Sequence, residues 1–72
     1  MNVDERLKEY TAVINMKMMI EKYAKKYNVT INEALKIFTS SKAYEALFDY
    51  DNFGLWKESP LYLLEFFEKI KS

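Results

Sequence analysis

Seventy-two residues make a single domain, 1–72, near the lower limit at which a core folds unaided, because so short a chain buries only about 60% of its unfolded surface. Half of the residues are apolar and 17% are aromatic, more than a small interior readily takes, so some apolar surface is expected to meet a partner, although six Tyr can bury a ring and keep the hydroxyl wet. Eleven basic residues balance eleven acidic ones, and there is neither Cys nor His, which excludes a disulfide framework and a thiolate or imidazole site.

The first helix is predicted from Asp4, a plausible N-cap, to about Tyr27, since no Gly or Pro interrupts a run dominated by Leu, Met, Glu, Lys and Ala. Its apolar pattern is not one stripe. Val3, Leu7, Tyr10 and Ile14 define one face, while Val13, Met16, Ile20, Tyr23 and Tyr27 continue on a neighbouring one, and Lys17 and Glu21 stand where the first should have gone on. Either the two halves pack on different neighbours or the helix bends or breaks near Asn15. The C-terminal half is expected to meet the core and the N-terminal half to make a subunit contact. Met18 and Met19 are placed away from Met16 and Ile20, so Leu7, Tyr10, Ile14, Met18 and Met19 are the candidate interface.

Asn28-Val29-Thr30 ends this pattern, and Thr30-Ile31-Asn32-Glu33 reads as a capping box, in which Thr30 and Glu33 satisfy each other's backbone amides. A helix over about 31–38 follows, with Ile31, Ala34, Leu35 and Phe38 at helical spacing and Ile37 beside them. Thr39-Ser40-Ser41 then competes with helical hydrogen bonds, and Ser40 or Ser41 can cap a further helix over about 42–49 through Ala43, Tyr44, Leu47 and Phe48.

The only Gly, the only Pro and the only Trp fall within the next stretch, residues 54–60. Gly54 can take positive φ just past a helix end, and Ser59-Pro60 reads as an N-cap followed by Pro at the first helical position. Residues 53–58 are expected to cross as an extended connector, with Phe53, Leu55 and Trp56 lying over the helices and sealing the core. The last helix, about 60–71, places Leu63, Phe66, Phe67 and Ile70 on one stripe widened by Leu61, Tyr62 and Leu64. Glu65, Glu68, Lys69 and Lys71 are left to water. No strand-like alternation occurs. The fold class is therefore all-α, a bundle of four helices whose structural anchors are Thr30, Glu33, Gly54, Trp56, Ser59 and Pro60.

Chemical motifs are few. The corner at Thr39-Ser40-Ser41 resembles a helix-turn-helix turn, but Lys42 is the only cation of the following helix, and Glu45, Asp49 and Asp51 would face the phosphates. Lys22, Lys25 and Lys26 interleave with Tyr23 and Tyr27, as a single-strand-binding surface would, yet Lys22 and Lys26 are placed on the face opposite the tyrosines. Asp49-Tyr50-Asp51-Asn52-Phe53-Gly54 opens like a calcium loop and then puts Phe53 and Pro60 at the fifth and twelfth places, where oxygen ligands are required. Turn chemistry accounts for these residues without an ion. No catalytic, cofactor-binding or metal-binding residue is assigned, and an enzyme is not expected.

The longest apolar run, Leu61-Tyr62-Leu63-Leu64, is far below the roughly 20 residues of a membrane span. Met1-Asn2-Val3-Asp4-Glu5-Arg6 lacks the basic and apolar stretches of a secretory segment, so a cytoplasmic protein is the expectation. Abundant Lys, Ile, Asn and Tyr fit a bacterial gene of low GC content.

Ser40-Ser41-Lys42-Ala43-Tyr44-Glu45-Ala46-Leu47-Phe48-Asp49, followed by Phe53-Gly54-Leu55-Trp56-Lys57-Glu58-Ser59-Pro60-Leu61-Tyr62, is similar to small uncharacterised bacterial all-helical proteins. Those carry a Ser-Lys-x-Tyr-x-x-Leu segment, a Gly-Leu-aromatic turn and a Ser-Pro or Ser-Ser helix start. The similarity covers about the last two-thirds of the chain, and Phe53 stands where Thr is expected. Some such proteins are encoded beside ADP-ribosyltransferase-like toxins, so the resemblance implies an antitoxin-like or accessory role. It assigns no functional residue. The resulting reading is a protein-protein interaction module, a homo-oligomer such as a dimer or one that docks on a partner protein, with no cofactor and no membrane. The alternatives are a helix-turn-helix regulator that binds nucleic acid and an enzyme.

Overall fold

The computed structural model describes residues 3–71, with side chains over 6–70. Four α-helices and no strand are found among them: α1 (Val3–Tyr27), α2 (Ile31–Thr39), α3 (Lys42–Leu47) and α4 (Pro60–Lys71), with a 3₁₀ turn at Leu55–Lys57. The fold is all-α, as the sequence predicts. A 25-residue helix is about 37 Å long, so α1 sets the long dimension of a body measuring 38 × 20 × 19 Å. The 3₁₀ turn and α2 and α4 pack around it.

The helix ends are built largely as expected. The Glu33 amide donates to the Thr30 hydroxyl at 3.1 Å, and the Thr30 amide donates to the Glu33 carboxylate at 3.3 Å, which completes the capping box. The Tyr62 amide donates to Ser59 Oγ at 3.2 Å, so Ser59 caps α4 and Pro60 occupies its first position. Asn28 takes φ 55° just past α1, and the Val29 amide closes the helix on the Ala24 carbonyl at 3.0 Å. The helix bounds already include Asp4, and any capping by its side chain lies outside the described residues, as do the side chains of Val3 and Lys71.

Two elements differ from expectation. The third helix stops at Leu47 rather than 49, because the Asp49 carboxylate accepts from the Asn52 amide at 3.3 Å and from Asn52 Nδ2 at 3.0 Å, which turns the chain out of the helix. Ser41 occupies the position before α3 without a side-chain cap, its hydroxyl donating instead to the Phe38 carbonyl at 2.6 Å. Residues 53–58 are not extended: Gly54 at φ 63° leads into the 3₁₀ turn, whose Lys57 and Glu58 amides donate back to Gly54 and Leu55. Gly54 thus serves this turn, seven residues beyond the end of α3.

The core takes up aromatic residues as a chain of edge and tilted contacts. Tyr27 meets Tyr23 at 4.5 Å between ring centroids, Tyr23 meets Phe67 at 5.2 Å and Phe67 meets Phe38 at 5.2 Å. Phe38, Tyr44, Phe48 and Tyr50 continue it at 5.8, 5.3 and 6.4 Å, so the rings link α1, α4, α2 and α3. On α1 the buried residues are Ala12, Met19, Ile20, Tyr23 and Ala24. Met19 is therefore core and not part of any exposed interface, since about 100° of helix rotation separates it from Met18. Of the connector residues expected to seal the core, Leu55 is buried, Trp56 is half-buried and Phe53 is exposed. Leu61, Tyr62, Ile70, Ile31, Leu35 and Ile37 are exposed as well, so the apolar stripes of α2 and α4 are narrower in the structure than in the sequence pattern.

Candidate functional site

α1 runs through Asn15 without a break. Its stripe changes there because the Asn15 side chain faces the 3₁₀ turn, Nδ2 donating at 3.0 Å to both the Trp56 and the Glu58 carbonyl oxygens. Lys8, two turns earlier, places its ammonium 5.7 Å from the Trp56 ring centroid. One side of α1 is thus fastened to the connector, and the side carrying Tyr23 to α4. Near the C-terminal end, Lys26 Nζ donates to Glu68 at 2.7 Å and the Tyr27 hydroxyl donates to the same carboxylate. The bond to Glu68 lifts Lys26 above the ordinary lysine range. Glu68 therefore does not simply face water, and Lys26 does not lie on a detached solvent face opposite the tyrosines.

This bracing leaves a second apolar seam. Leu7, Tyr10, Ile14 and Met18 fall within an arc of about 80° at 3.6 residues per turn, roughly 160° around the helix from the buried set. They are 58%, 68%, 40% and 47% exposed. The two faces of α1 are therefore nearly opposite rather than neighbouring. Four of the five residues singled out as a candidate interface share this seam, and Met19 does not. An open cleft of about 640 Å³ runs along its N-terminal flank, lined by Arg6, Leu7, Glu9, Tyr10 and Val13. Around Met18 a smaller concavity of about 230 Å³ is lined by Glu21, Lys22 and Lys25.

The other motifs resolve into packing. In α3, Ala43, Ala46 and Leu47 are buried, and the helix has six residues, so it projects little that could enter a groove. The acidic turn is held by Asp49 and Asn52 bonding one another. Among the described residues no three His, Cys, Asp or Glu side chains gather as a metal would need, and no polar or charged residue is buried. No described helix is long and apolar enough to cross a membrane. The anchors Thr30, Glu33, Gly54, Ser59 and Pro60 serve turns and caps. Trp56 lies under Lys8, with its carbonyl bonded to Asn15. Comparison with protein-family models, curated proteins and solved structures finds no match to this chain.

Proposed function

We propose that the chain is a protein-protein interaction module whose docking element is the outer seam of α1. The observation that carries this reading is the pair of opposed apolar faces on one helix: the first is spent on the chain's own core, and the second, Leu7, Tyr10, Ile14 and Met18, stays exposed among the described residues. Large side chains arranged contiguously at helical spacing on a braced helix are what a docking surface requires, whereas apolar residues scattered singly need no such explanation. Self-association and docking on a foreign protein both use such a face. The antitoxin-like or accessory role implied by the resemblance to small bacterial proteins would be a docking role of this kind.

The test is a capture experiment on an extract of the native host with the wild type and Leu7→Asp, alongside native mass measurements on both. A partner, foreign or identical, held stoichiometrically by the wild type and lost by a Leu7→Asp protein of unchanged melting temperature supports the reading. The same complexes formed by both proteins, or by neither, overturn it.

A further inference from the structure

Resting on that reading, we infer that the occupant of the outer seam is an acidic amphipathic helix of another protein rather than a second copy of this chain. The seam is narrow. Leu7, Tyr10 and Ile14 follow the 3-4 spacing of a helix-pairing seam and Met18 closes it one turn later, which suits one helix laid along it and is too slender for the broad apolar face of a helix lying in a lipid surface. The charges beside it have one predominant sign. Arg6 and Lys17 flank one side, Lys22 the other, and Lys25 continues the line of the seam past Met18. All four are exposed, against one exposed carboxylate, Glu21, among the described side chains on this half of the helix. Glu9 lies about 140° away from the seam's centre, at the far edge of the N-terminal cleft.

A second copy meets this charge pattern badly. Parallel pairing in register faces Lys17 of each copy with Lys22 of the other, on the opposite flank, and sets Glu21 on Glu21. Antiparallel pairing that seats Tyr10 on Ile14 brings Arg6 of each copy to the turn carrying Lys17 of the other. Like charges at the flanks of paired helices select against a partner, and opposite charges select for it. A helix with large apolar residues on its seam and Asp or Glu beside them fills the seam and faces Lys17, Lys22 and Lys25 with carboxylates.

The experiment uses two labelled 21-residue helical peptides, each with Leu at the heptad a and d positions, one with Glu and one with Lys at e and g. Binding is followed by fluorescence anisotropy, and the protein's own mass is read by sedimentation at the same concentrations. The Glu peptide is expected to bind at least tenfold more tightly than the Lys peptide, the K17E/K25E variant to invert that order, and Tyr10→Asp to abolish both. Equal affinities, tighter binding of the Lys peptide, or no binding by a monomeric protein would overturn the inference. Self-association lost in Leu7→Asp, without peptide binding, overturns the acidic partner while leaving the interaction reading standing. Binding only to phosphatidylglycerol vesicles overturns both.

Discussion

The carboxamide of Asn15 lies 3.0 Å from the carbonyl oxygen of Trp56, 41 residues further along the chain, and makes a second bond of the same length to Glu58. The last carbonyls of a 3₁₀ turn have no partner within the turn. In this fold they are satisfied by a side chain from the middle of the longest helix. A polar residue inside an apolar pattern is thus the fastening between α1 and the connector that leads into α4.

Asn15→Ala is expected to cost about 1–3 kcal/mol, because it leaves two half-buried carbonyls without their donor. Asn15→Leu, which would restore apolar character to the helix, should lose a similar amount. Urea unfolding of the three proteins measures this. An Asn15→Leu variant as stable as the wild type would show that the two bonds contribute nothing.

The connector's two large residues should differ in their effect. Leu55 is 4% exposed, so Leu55→Ala should destabilise by about 2–5 kcal/mol through transfer and cavity terms. Trp56 is half-buried under Lys8, and Trp56→Ala should cost less than Leu55→Ala despite removing more atoms. Thermal unfolding of both variants checks the order, and a reversed order would make the indole the true seal.

Signals confined to a few neighbouring residues were legible in the sequence. Thr30 and Glu33 bond within one helical turn, Ser59 caps its own helix, and Gly54 takes positive φ. What could not be read were partners set by packing. Glu68 looks like a solvent carboxylate until α4 lies on α1 and brings it to Lys26 and Tyr27. Asn15 reads as a break because its acceptors are backbone atoms more than 40 residues away. On α1 the apolar count favoured large residues and passed over Ala12 and Ala24, both buried. The N-terminal seam stood out from periodicity alone, but its exposure required the positions of the other helices.

Gly54 offers a test of backbone conformation separated from packing. At φ 63° an added Cβ would meet only the Lys57 side chain, at 3.5 Å, an ordinary contact. Gly54→Ala should therefore cost about 1–2 kcal/mol from the left-handed conformation alone, and Gly54→Asn less, since Asn tolerates that region. Chemical denaturation of both variants decides this, and equal losses would point to crowding rather than to φ.

Lys26 and Glu68 should make stability depend on pH at the alkaline end. The hydrogen bond from Lys26 to Glu68, aided by the carboxylate's charge and by Tyr27, raises the folded-state pKa of Lys26 above its ordinary 10.5. Below that value the ammonium is charged in both folded and unfolded chains and the contribution is fully present. As pH rises through the folded pKa it is lost, because the unfolded chain has already released the proton. The Lys26 side chain is about half exposed at 54%, so the effect is small and screened by salt. Other Lys and Tyr residues titrate in the same range, and the informative quantity is therefore the difference in unfolding free energy between the wild type and Lys26→Gln. That difference should stay level from about pH 7 to 9.5 and shrink above 10.5. In a Glu68→Gln background the same substitution should show no such alkaline loss, and a decline of equal size there would assign it to groups other than this pair.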